Sequence, residues 1–117
     1  MELLKKIVSL LEEKKGEDIV VLDVSKHTNI ADYFIIATAN SAVHARALTD
    51  YLIESLSKEG IYPDHMEGLE NAYWVLIDFM DIIVHIFQKE WRDYYDLEWL
   101  YSTARRVEVL DLLSLFS

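Results

Sequence analysis

The sequence predicts a single α/β domain: a mixed five-stranded sheet with flanking helices. Three patterns point there. Apolar residues recur at helical spacing near the start and the middle of the chain, β-branched runs lie between those stretches, and two such runs stand close enough to form a hairpin. Strands separated by helices favour parallel pairing, whereas a tight hairpin is antiparallel, so the sheet is mixed. With 117 residues and 52% apolar content the chain can bury one core. It shows no repeat or linker, so residues 1–117 are read as one domain, with 105–117 as a C-terminal helical tail.

Leu3, Leu4, Ile7, Val8 and Leu11 follow the 3.6-residue period, and Gly16 falls where a left-handed residue would end that helix. DIVVLDV (18–24) and YFIIATA (33–39) are strand-like, separated by a polar connection. Asn40 or Ser41 caps a long helix with Val43, Ala47, Leu48, Tyr51, Leu52 and Leu56 on one side, closed by Gly60. A short extended piece near Met66 and a turn at 68–71 lead to AYWVLIDF and DIIVHIFQ. Lys89 to Tyr101 reads as one short helix or two helical turns, and Val107, Leu110, Leu113 and Phe116 recur at helical spacing in the tail.

If Phe79 and Met80 form a two-residue turn, Trp74 faces His85, Leu76 faces Ile83 and Asp78 faces Asp81 on one side of the hairpin. The other side carries Tyr73, Val75, Ile77, Ile82, Val84 and Ile86, an apolar set expected against the core helices. The mixed side is expected to be partly open.

Eleven basic against twenty-one acidic residues give a formal charge of −10, which opposes binding to a phosphate backbone, and the cations are scattered. Such acidity suits a soluble surface or a basic protein partner, with little direct RNA contact. No apolar run is long enough to span a bilayer, and the N-terminal stretch lacks a signal-peptide pattern. The absence of cysteine excludes thiolate metal sites and a cysteine nucleophile and suits a reducing compartment, so the chain is read as cytoplasmic.

Catalytic patterns are weak. His27, His44, His65 and His85 are too far apart in sequence for a helical zinc pair, Ser41 lacks the setting of a nucleophile elbow, and three glycines make no phosphate loop. Asp78 and Asp81 could form a carboxylate pair, but at a hairpin turn they are ordinary turn residues. No metal or cofactor is expected. Trp74, Trp91, Tyr94, Tyr95, Trp99 and Tyr101, by contrast, crowd into one segment, and Trp, Tyr and Arg are the side chains that dominate protein interfaces.

DIVVLDV at 18–24, ADYFIIATANS at 31–41, EG at 67–68, WVLIDFMDIIVHIF at 74–87 and RDYYDLEWLY at 92–101 stand in the order and spacing of a known family. Over nearly its whole length the chain resembles the ribosomal silencing factors, also called the Iojap-like family. That resemblance implies a fold akin to nucleotidyltransferases without known catalysis. It further implies binding to the large ribosomal subunit through large-subunit ribosomal protein fourteen, a block of subunit joining, and repression of translation when nutrients are short. The family's signature falls here on Trp74, Asp78, His85, Arg92, Tyr95 and Glu98 as the expected partner-facing set, with Asp32 and Glu67 as further candidates. Phe87, Leu97 and Leu100 are expected to pack, and Gly68 to serve a backbone need. Met80 stands where the family usually has glycine, and Tyr101 where it commonly has tryptophan. The competing reading is a divergent nucleotidyltransferase-like or metal-dependent enzyme using Asp78, Asp81 and His85; a homodimer of the free chain through the C-terminal segment is compatible with the ribosomal role.

Overall fold

The computed structural model describes residues 1–114. Helix α1 (Glu2–Glu13) buries Leu4, Ile7, Val8 and Leu11 along one stripe. Its end differs from expectation: Lys15, at φ 63°, takes the left-handed conformation, and the Gly16 N–H donates back to the Leu11 carbonyl. Strand β1 (Glu17–Asp23) pairs antiparallel with β2 (Tyr33–Ala39). A bulge between Glu17 and Val20 interrupts that ladder near Asp18.

Helix α2 (Ala42–Ser57) is capped by the Ser41 side chain, which accepts from the His44 N–H. Its buried face is Ala45, Leu48, Thr49, Leu52 and Leu56, so the expected face is rotated, and Val43 is 75% exposed. The small residues Ala45 and Thr49 let the helix lie close to the sheet, and the Thr49 hydroxyl hides its polarity by donating to the Ala45 carbonyl at 2.8 Å.

The remaining elements are β3 (His65–Glu67), β4 (Trp74–Asp78), β5 (Ile82–Gln88), α3 (Lys89–Tyr95), α4 (Leu97–Leu100), β6 (Arg105–Val107) and α5 (Val109–Ser114). The strand order is β3-β4-β5-β2-β1-β6, with β2 and β5 parallel and every other pairing antiparallel. The sheet is therefore mixed, as expected, but has six strands and not five. Arg105–Val107, assigned to a helical tail, instead pairs with β1, and helix begins only at Val109. Three residues are too few to display a period of two, while the open edge of β1 offers backbone groups that need partners. Phe116 lies outside the described residues.

One side of the sheet carries the main core, built with α1, α2 and α5 around Val75, Ile77, Ile82, Val84 and Ile86. The other side holds a smaller cluster that includes Leu22, Phe34, Ile36, Ile83 and Phe87, with Trp74, Leu97 and Tyr101 packed against it.

The β4–β5 hairpin keeps the expected faces but not the expected partners. Trp74 lies opposite Phe87, Leu76 opposite His85 and Asp78 opposite Ile83, a two-residue displacement that preserves side-chain parity. Phe79 is the cause: it is buried in the core, so the turn moves out to Met80 and Asp81. The Phe79 N–H donates to the Ile82 carbonyl, and the Asp81 N–H donates to the Phe79 carbonyl across Met80 at φ 76°. Asp78 braces this turn, its Oδ1 accepting the Met80 N–H at 2.7 Å.

Candidate protein-docking site

The connection from β3 to β4 and the end of α3 enclose an open cleft of about 460 Å³, lined by Met66, Glu67, Glu70, Tyr73, Trp74 and Tyr95 together with the loop backbone at 68–71. Gly68 makes the loop possible. At φ 88° it is left-handed, and a Cβ there would sit 2.0 Å from the Trp74 carbonyl oxygen. Arg46 of α2 fastens the far side, its Nε donating to the Leu69 carbonyl at 3.1 Å and a terminal nitrogen to that of Glu70.

Trp74 is the half-buried floor. Its indole stacks on Phe87 at 4.9 Å and tilts against Tyr95 at 4.9 Å, and its Nε1–H donates to His85 Nδ1 at 3.0 Å. Tyr95 is 49% exposed above it. Tyr73, expected in the main core, is instead exposed and stacked on Trp91 at 4.6 Å. Ala72, left-handed at φ 56°, takes the buried place and turns the chain just before β4.

His85 is 3% exposed, its ring edge-on to Phe34 at 4.7 Å. Burial pushes its pKa down to about 3, so it is neutral at physiological pH. Since Nδ1 accepts from Trp74, the proton resides on Nε2, and that atom is buried without an acceptor.

Arg92 also faces inward, at 9% exposed. One terminal nitrogen donates to the Asp18 carbonyl and to the Thr38 hydroxyl, both at 2.8 Å, and Nε donates to Glu98 Oε1 at 2.8 Å. The second Glu98 oxygen lies 3.4 Å from Arg106 of β6. This cluster crosses the left-handed Asp96 that separates α3 from α4, and ties both helices to β1, β2 and β6.

Of the eight residues singled out from sequence, Glu67, Trp74 and Tyr95 meet at the cleft. His85 lies beneath it, and Arg92 and Glu98 hold α3 and α4. Asp78 is at the other end of β4, roughly 13 Å from Trp74 by strand rise. The exposed Asp32 shares that end, its backbone N–H donating to the Asp81 carbonyl. Leu100, expected to pack, is 66% exposed. Sequence reasoning did not single out Met66, Glu70 or the outward Tyr73. The acidic pair in EGLE beside an aromatic strand start is the signal that could have found them. Glu67 also bonds His65, which raises the histidine's pKa.

A family model described as "Ribosomal silencing factor during starvation" matches residues 1–115. The chain belongs to that family. Among its relatives, a ribosomal silencing factor from Halalkalibacterium halodurans is 39% identical, the match covering 97% of each chain. One from Bacillus subtilis is 37% identical over 87% of this chain and 86% of its own. A mouse relative named "Mitochondrial assembly of ribosomal large subunit protein 1" is 30% identical over 82% of this chain, but only 43% of its own length takes part. Crystal structures of proteins from Chromobacterium violaceum and Bacillus halodurans share the fold. Their TM-scores are 0.83 and 0.81 and their identities 38% and 37%; the matches cover 86% and 92% of this chain and 84% and 97% of theirs. The α/β architecture with its mixed sheet is thus the family's own.

Proposed function

We propose that the chain silences translation by binding the large ribosomal subunit through large-subunit ribosomal protein fourteen and sterically blocking the small subunit. Membership of the ribosomal silencing factor family carries the ribosomal part of this reading. The docking part is carried by one observation: exposed aromatics and two carboxylates converge on one cleft of a chain with charge −10. Trp74 and Tyr95 offer large, rigid contact area, and Glu67 and Glu70 suit a cationic side chain entering between ring and carboxylate. Such a surface fits a basic protein better than RNA phosphate. Association with ribosomes would place the chain in the cytoplasm.

This is a binding role, not an enzymatic one. The residues an enzyme would use do not converge: His85 is buried and engaged by Trp74, while Asp78 accepts from its own turn. Most of the described apolar residues suggested for self-pairing have partners within the chain, Leu110, at 77% exposed, being the exception. Leu112 is buried, and Val107, Val109 and Leu113 pack against the same core, which favours a monomer as the docking unit.

Sedimentation through sucrose with purified large subunits tests the reading. The chain should co-migrate at low salt and detach as salt rises, and Tyr95→Ala and Glu67→Lys should each detach earlier. Failure of the unaltered chain to co-migrate at any salt would overturn it.

A further inference from the structure

We propose that His85 is a positioning residue for the cleft: its Nδ1 holds the Trp74 indole N–H inward, so that the partner meets the ring's π face and carbon edge and not its hydrogen-bond donor. The proposal rests on the docking reading and adds which part of Trp74 is presented. His85 itself cannot touch a partner, being 3% exposed beneath the ring. Its hydrogen bond to Trp74 is the one polar contact of the imidazole among the described residues. The rest of its surroundings is apolar, with Phe34 at 4.7 Å and Phe87 at 6.4 Å between ring centroids. A leucine or phenylalanine would occupy such a layer without leaving a buried Nε2–H unmatched, so for packing alone histidine is a poor choice. Its gain is an acceptor aimed at the indole. Without that acceptor, the Trp74 N–H would be satisfied by turning toward solvent, lifting the ring off Phe87 and into the cleft.

The test follows the Trp74 indole proton–nitrogen resonance and large-subunit binding in His85→Leu, His85→Asn and Trp74→Phe. His85→Leu should move the indole resonance toward that of free indole and speed its hydrogen exchange. It should weaken binding roughly three- to tenfold, the worth of one net hydrogen bond, without lowering the thermal midpoint. In the Trp74→Phe background, which has no N–H to hold, His85→Leu should weaken binding no further. His85→Asn, whose Oδ1 falls near the place of Nδ1, should recover the resonance and part of the affinity, and it carries the test if the leucine variant fails to fold. An equal loss in both backgrounds, or unchanged binding by His85→Leu once the resonance has moved, would overturn the proposal. Trp74→Ala separates the two claims: normal binding by that variant removes the docking reading and this proposal together, whereas lost binding there with normal binding by His85→Leu removes only the positioning role.

Discussion

His85 and Arg92 share the same segment and the same family signature, yet each acts through other residues. For His85 the consequence is a pH dependence of stability. Its folded pKa of about 3 lies below the ordinary 6.5, so between those values the unfolded chain binds the extra proton. Stability attributable to this group is intact above about pH 6.5 and declines as the pH falls, by up to about 1.4 kcal/mol per unit. Urea denaturation between pH 7 and 4 should show that slope, and His85→Leu should flatten it. His65 works the other way: its pKa is raised by Glu67, so the small stability it adds is present below its unfolded value and lost as pH rises. Arg92 is buried and bonded to Glu98, Thr38 and Asp18, so Arg92→Leu leaves a carboxylate, a hydroxyl and a carbonyl short of a donor. That variant should lose about 3–5 kcal/mol in the same measurement. A loss under 1 kcal/mol would show that the cluster does not hold α3 and α4.

Two turns frame the cleft strand β4, and they respond oppositely to glycine. Met80 adopts φ 76° with an exposed side chain, so Met80→Gly should relieve left-handed strain and stabilise by about 1 kcal/mol in urea unfolding. Gly68→Ala places a methyl 2.0 Å from the Trp74 carbonyl and should cost more than about 2 kcal/mol while deforming the cleft. The sequence already suggested both, since a family glycine was replaced at one position and retained at the other. What it concealed was register. Alternation assigned each β4 and β5 side chain to its face, but it carries no record of which pair stands opposite, and Phe79 decided that by burying itself. Strand β6 was concealed for a related reason: three residues become a strand only because β1 has a free edge. The same limit applied to the site. Residue types marked Trp74 and Tyr95, and the family resemblance Glu67, whereas Arg92 turns inward onto the Asp18 carbonyl at the β1 bulge, and Asp78's distance from the cleft follows from strand direction.

At the scale of the whole molecule, the sheet separates two tasks. Helices α1, α2 and α5 cover the side that holds most of the buried apolar residues, leaving the opposite side to carry a smaller cluster and, at its β3–β4 end, the aromatic and acidic cleft. Because the core and cleft lie on different faces, cleft substitutions such as Tyr95→Ala should alter binding with little effect on unfolding, within about 0.5 kcal/mol. The net charge of −10 adds a long-range term, so association with a basic partner should slow as ionic strength shortens the reach of the field. Docking at this cleft is proposed to keep the subunits apart. Light scattering of purified large and small subunits mixed with the chain measures that directly. The unaltered chain should suppress the rise in scattering that accompanies joining, and Tyr95→Ala combined with Glu67→Lys should restore it; full joining in a saturating excess of the unaltered chain would contradict the account.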